Sequence, residues 1–189
     1  MMLTINITAQ EVIQDEWFIS GGLDPVIASG LNKLDGSERV GAGKLNYLIQ
    51  FGREGYEEGR IGSKFGLQWE QFNAINYASG GVFGGATFSA PKLPFTNLTL
   101  GDFWYTTGEI NIIKRVGLED SLEHNPDDKE YWALGLNLGI KIEEPFDLPF
   151  DLDLLLNGKD RADIRGHFGS SGFKDTFIVS SYVLLTYNF

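Results

Sequence analysis

The chain has no cysteine, which removes disulfide scaffolds, cysteine-ligated zinc, iron–sulfur clusters and thiol nucleophiles in one step. Proline is scarce at 6 in 189 residues, and histidine occurs only twice. Cations are the minority: 15 Lys and Arg against 26 Asp and Glu leave a formal charge of −11. No cluster of Lys and Arg supplies the face that nucleic acid requires. No run approaches the ~18 consecutive apolar residues of a membrane-spanning helix. That absence leaves membrane β-barrels open, because their strands cross as short alternating segments. Glycine and aromatics are plentiful, at 24 residues and 13% of the chain. With 42% hydrophobic and 22% charged residues, the chain is globular rather than disordered, of a size for one domain. The combination points to an all-β protein.

The opening ten residues, Met1 through Gln10, are apolar and uncharged, and the pattern stops at Glu11. Residues 1–10 read as the back half of a secretory signal, with Ala9 as the small residue before the cut, although a positively charged front is missing. The expectation is therefore a start at an internal methionine, with residues 11–189 as the mature domain. A short edge-strand N-terminus is the alternative.

Period-two alternation is the main structural signal. It is clearest over residues 131–143, where Trp132, Leu134, Leu136, Leu138, Ile140 and Ile142 alternate with Ala133, Gly135, Asn137, Gly139 and Lys141. Residues 43–51, 61–70 and 177–189 repeat it. Weaker candidates fall at 16–28, where Pro25 suggests an edge-like or bulged strand, at the glycine-rich 77–88, whose facing is undecided, at 97–115, with a bulge near Gly101, and at 150–157. The count is eight strands. Asn157-Gly158 is also a candidate type I′ hairpin turn, which would shift that count. One set of connections (53–59, 90–96, 144–149) is short. The other (31–42, 73–76, 117–129, 158–175) is mostly longer and more charged. This asymmetry suits an up-and-down transmembrane β-barrel with both termini on the short-turn side.

Alternation alone does not say which face is inside, but side-chain size does help. The apolar rows are bulky and the opposing rows carry Gly62, Gly66, Gly135 and Gly139, which suits a narrow eight-stranded interior with the bulky rows in lipid. The inner rows also hold charges of both signs. Lys44, Lys64, Glu70, Glu109, Lys141, Asp151 and Asp153 are expected to pair across the lumen as a polar plug. Trp17, Phe51, Trp69, Trp132, Tyr187 and Phe189 fall at strand ends, where interfacial girdles belong.

The terminal stretch Val183-Leu184-Leu185-Thr186-Tyr187-Asn188-Phe189 carries the most specific signal: an aromatic last residue, an aromatic two before it, and apolar residues at alternate positions upstream. On this stretch and the eight-strand pattern, the chain resembles the small outer-membrane β-barrel family of Gram-negative bacteria, the OmpX- and OmpA-barrel-like proteins. The resemblance implies an outer-membrane location and contact with outer-membrane lipids and lipopolysaccharide. It also implies recognition of Val183, Leu185, Tyr187 and Phe189 by the barrel assembly machinery. The glycine that many members carry farther upstream in that signal is missing here.

Catalytic chemistry has little to draw on. His167 with Ser170 or Ser171 is the one local pairing that a barrel hydrolase acting on lipid A would need, and His124 lies in an acidic loop, 118–129. That loop is rich in oxygen ligands but lacks the spacing of a calcium-binding loop and reads as a solvated face. The sequons at Asn6 and Asn97 carry no meaning in a bacterial envelope. The expectation is a monomeric structural or surface-interaction protein without catalytic residues, metal or cofactor. A narrow pore for small solutes, a soluble lipocalin-like container and the lipid A hydrolase stand as alternatives.

Overall fold

A computed structural model describes residues 14–25, 33–34, 38–39, 45–56, 59–72, 77–96, 98–115, 130–160 and 177–189. The N-terminal segment 1–10, Lys44, both histidines, Ser170, Ser171 and the acidic loop lie outside the described residues.

Among the described residues there are ten strands: β1 (Gln14–Leu23), β2 (Lys33–Leu34), β3 (Glu38–Arg39), β4 (Tyr47–Tyr56), β5 (Gly62–Phe72), β6 (Tyr77–Ser89), β7 (Phe103–Arg115), β8 (Glu130–Ile142), β9 (Asp151–Asp160) and β10 (Phe177–Asn188). β2 and β3 form a small separate ladder inside the connection from β1 to β4. The other eight close into an antiparallel up-and-down barrel in which sequence neighbours pair throughout and β1 also pairs β10. Closure removes every free strand edge. At the seam, Trp17 and Phe189 exchange both backbone hydrogen bonds, at 3.2 and 2.9 Å, so residue 14 and the C-terminus share a rim with the connections 57–61, 90–102 and 143–150.

Several boundaries differ from the sequence reading. Pro25 does not weaken β1, because it falls just past the strand, which is paired on both sides. The glycine-rich segment is a regular strand of 13 residues. The expected strand at 97–115 begins only at Phe103, since Gly101 takes a left-handed φ of 77° and ends a turn there. The β6–β7 connection is accordingly longer than expected. Asn157-Gly158 is no hairpin turn: both residues lie inside β9, opposite Ser180 and Val179 of β10.

Facing follows the pleat. Residues Trp17, Ile49, Phe51, Phe65, Leu67, Trp69, Val82, Ile110, Trp132, Leu136, Leu156, Leu185 and Tyr187 are exposed on the outer wall, and the alternate positions are buried. Inward glycines permit the tight curvature of a small barrel. Gly52 on β4 lies opposite Gly66 on β5, and a Cβ on either would approach a carbonyl oxygen of the facing strand to 2.1 or 2.2 Å. Any side chain at these two positions forces the strands apart.

Candidate functional site: the charged lumen

The barrel interior is filled, and its filling is ionic. Lys64, Lys141 and Lys159 are buried there with Glu54, Glu70, Glu109, Asp151 and Asp153. Of the residues expected in the lumen, all except Lys44 fall among the described residues, and each is buried on the inner face.

The side chains form two layers. Toward the termini, Glu54 of β4 accepts hydrogen bonds from both Lys64 of β5 and Lys141 of β8, one on each carboxylate oxygen. Lys141 reaches Asp151 at 3.3 Å. Asp151 in turn accepts from the Asn188 amide at 2.7 Å and from the Glu144 backbone N–H at 3.1 Å. The Thr186 hydroxyl donates to Asp153. Aromatic faces complete the desolvation: the Lys64 ammonium lies 3.9 Å from the Phe18 ring centroid and 4.6 Å from that of Tyr105, a favourable placement for a cation over a π face.

Toward the long loops, Lys159 bridges Glu70 at 2.5 Å and Glu109 at 3.0 Å, and the Tyr182 hydroxyl donates to Glu70. Glu109 is further held by Gln68 at 2.6 Å, Asn137 at 2.9 Å and Asn111 at 3.0 Å. Gln50 extends the layer by donating to Gln68 at 3.2 Å. Buried charges are tolerated when paired and hydrogen-bonded, and every lysine of the two layers meets a carboxylate; Asp153 is the exception among the acids, with Oδ1 buried and unpartnered. The bonds also tie strands far apart in the chain, Glu54 with Lys141 across 87 residues and Glu70 with Lys159 across 89.

Two central members escaped the sequence reading. The sequence pattern places Glu54 in the connection 53–59 and Lys159 in the connection 158–175, because alternating apolar residues fade before the strands end. Inward aromatics were missed as well: Phe18, Phe83, Phe103 and Tyr105 are buried. Beside Tyr105 the wall thins to Gly139, where a Cβ would fall 2.0 Å from the ring. The glycine row and the bulky ring are thus complementary parts of one layer.

Below the lower layer a cavity of about 690 Å³ opens at the terminal rim, lined by Glu16, Asp102, Glu143, Glu144, Asp151, Thr186 and Asn188 among others. No group that could hold a metal ion occurs among the described residues. Glu143 follows β8 directly and lines this cavity. Burial first, then the nearby carboxylates of Asp151 and Asp102, push its pKa above the ordinary glutamate range, against the opposing pull of Lys141. A raised carboxyl pKa means that the folded barrel holds this proton more tightly than the unfolded chain does. Its contribution is present below the unfolded pKa and is lost as pH rises through the raised value. Glu143→Gln is therefore expected to raise the urea midpoint at pH 7 and leave it unchanged at about pH 3, below the free carboxyl value. Equal shifts at both pH values would refute the assignment.

Bulky apolar side chains cover the outside of the wall, and the buried charges lie inside. Among the described residues the lumen carries buried charges of both signs. Compared with known proteins, the chain matches no protein-family model, no curated protein and no solved structure.

Proposed function

We propose that this protein is a monomeric outer-membrane β-barrel whose lumen is closed by its two ionic layers and whose work is structural or surface interaction, carried by the long-loop end. The observation that carries this reading is the reversed polarity of the wall. A water-soluble barrel with this outer surface would expose a continuous belt of Leu, Ile, Phe and Trp far beyond what a monomer tolerates, whereas acyl chains solvate it. Strand length supports the same reading. The barrel strands run 10 to 13 residues, and a tilted strand needs about 9–11 to cross a bilayer.

The outer wall has polar and aromatic borders where a bilayer would end. At the terminal rim the Arg53–Asp15 ion pair, at 2.7 Å, sits on the outside beside Trp17, which stacks on Phe51 with centroids 5.3 Å apart. At the other end Trp69 and Trp132 are exposed on the wall. Lipids and lipopolysaccharide are the partners of this belt. Val183, Leu185, Tyr187 and Phe189 form the outward row of β10, which is the face that assembly machinery reading the last strand would meet. The reading assigns no catalytic residue, metal or cofactor.

The test is electrophoretic mobility of protein refolded in detergent, boiled and unboiled. The expected result is a compact unboiled band and loss of solubility once detergent is removed. A folded monomer in plain buffer would sink the proposal and turn attention to a soluble container.

A further inference from the structure

The cavity at the terminal rim presents acceptors, and the donors that accompany them are spent. Glu16, Asp102, Glu143, Glu144 and Asp151 line it, and no lysine or arginine does among the described residues. The Glu143 N–H is turned onto Asp102 at 2.7 Å. The Glu144 N–H and the Asn188 amide are turned onto Asp151 at 3.1 and 2.7 Å, and the Thr186 hydroxyl onto Asp153. The Asn188 Oδ1, by contrast, is buried without a partner.

A second unpartnered acceptor stands at the inner end. Asp153 is 1% exposed, and its Oδ1 is bonded to nothing. Thr186, which lines the cavity, bonds the other oxygen and pairs with Asp151 one step nearer the rim, so the Asp153 carboxylate leans toward the cavity. The ionic layer above does not neutralise it. Glu54, Asp151 and Asp153 outnumber Lys64 and Lys141 there, and Glu54 already holds both ammoniums. A buried carboxylate oxygen without a hydrogen bond carries a desolvation cost that a donor from outside the chain would remove. The same surplus acts on Glu143, whose carboxyl is held above its ordinary range by burial and then by Asp151 and Asp102, against the pull of Lys141.

The acceptors are also spread out. In barrel order they belong to β1, β10, β9, the end of β8 and the turn into β7. That arc covers four strand spacings, about 19 Å along the wall at about 4.8 Å each. A single charged group does not meet both ends. At about 690 Å³ the cavity has room for about twenty water molecules of about 30 Å³ each, far more than a bare ion needs. Pro149 and Phe150 form an apolar stretch of the lining. The occupant specified by these features is an extended run of methylenes carrying several cationic donors and no acceptor. A peptide matches less well, because its carbonyls would face acceptors.

We infer that the terminal-rim cavity binds a linear aliphatic polyamine. One ammonium is seated at the inner end among Asp151, Asp153 and the Asn188 side-chain carbonyl. The others lie toward Glu16 on one side and Asp102 with Glu143 on the other, and the methylenes pass over Phe150 and Pro149. A primary ammonium brings three donors and a full charge, which answers the unpartnered oxygens and the surplus of carboxylates together. The site lies within the rim, so its occupancy is independent of what surrounds the outer wall.

The test is calorimetric titration of protein folded in non-ionic detergent, with the compact unboiled band confirming the fold of each variant. Spermidine is the probe, and butylamine, magnesium and trilysine are compared with it at matched ionic strength. Saturable one-to-one binding of spermidine is expected, at least tenfold tighter than that of butylamine or magnesium. Glu16→Gln and Glu143→Gln are each expected to weaken it by about fivefold or more, as loss of a charge-assisted hydrogen bond does. Asp147→Asn removes the same charge from an exposed position outside the cavity, and is expected to change the affinity less than twofold. Absence of saturable binding at millimolar spermidine overturns the site, and so do equal losses in Asp147→Asn and the two cavity variants. Magnesium binding as tightly as spermidine overturns the organic ligand. Trilysine binding tenfold more tightly than spermidine makes a lysine-bearing chain the occupant and overturns the free polyamine.

Discussion

Glu54→Ala is expected to lower the unfolding free energy of the barrel by about 3–5 kcal/mol, the usual cost of removing one member of a buried ionic cluster. Glu54 is the common acceptor of Lys64 and Lys141, and its loss leaves two buried ammonium groups close together. Lys141 retains the longer contact with Asp151 and the rings of Phe18 and Phe103, and Lys64 retains the rings of Phe18 and Tyr105. The cost is that of stranded charge, so it is expected to fall sharply when the charges leave together. Glu54→Gln combined with Lys64→Met, Lys141→Met, Asp151→Asn and Asp153→Asn should recover most of the stability, because replacing a whole buried ionic group by neutral side chains is often neutral. Urea titration of refolded protein, followed by the compact-band fraction and tryptophan emission, measures both. A loss under about 1 kcal/mol for Glu54→Ala, at the level of an exposed ion pair, would mean that water reaches the layer and that the lumen is not closed there.

Leu136→Arg tests the other face. Leu136 is 61% exposed on the outside of β8, midway along the strand and between Gly108 and Gly158 of its neighbours. In a bilayer an arginine at the midplane of a barrel wall costs about 2–4 kcal/mol, falling to about 0–1 near the interfaces. Ser63→Arg, on the outer face close to the terminal rim, is therefore expected to be nearly neutral. In a barrel surrounded by water neither substitution would matter. The measurement is the urea midpoint of each variant in lipid vesicles. Equal midpoints for the two would remove the membrane as the solvent of this wall.

The sequence revealed the barrel through parity. Wherever bulky apolar residues alternate with small or polar ones, as from Trp132 to Ile142, strand and facing could be read together. Parity failed where the inner residues were polar at a strand end. Gly52-Arg53-Glu54-Gly55-Tyr56 and Asn157-Gly158-Lys159 have the composition of turns, and only the paired partner strand reveals them as wall. In a barrel with a charged interior, an inward carboxylate at a strand end and a solvated turn carboxylate look alike in sequence. The size rule failed for a different reason. Phe18 and Phe83, with ring centroids 6.3 Å apart, and Tyr105 fill volume that the glycine rows leave empty, so bulk inside is set by the shape of neighbouring strands. The pairing of Lys159 with two carboxylates from β5 and β7 depends on closure, which no local window contains.

The seam between Trp17 and Phe189 makes the wall a ring with no privileged starting point. Seven of its eight joints lie between barrel strands that follow one another along the chain, β1 and β4 being separated only by the small β2–β3 ladder, while this one brings together residues 17 and 189. By the relation between contact order and rate, that joint is the slowest to form, and until it does β1 and β10 each present an unpaired edge to the surroundings. A short peptide bridging residues 189 and 14, with the chain opened instead at a long-loop connection such as 116–129, would make the slow joint local and give the same wall a different last strand. The order in which the ring is sewn would then be separable from the shape that results.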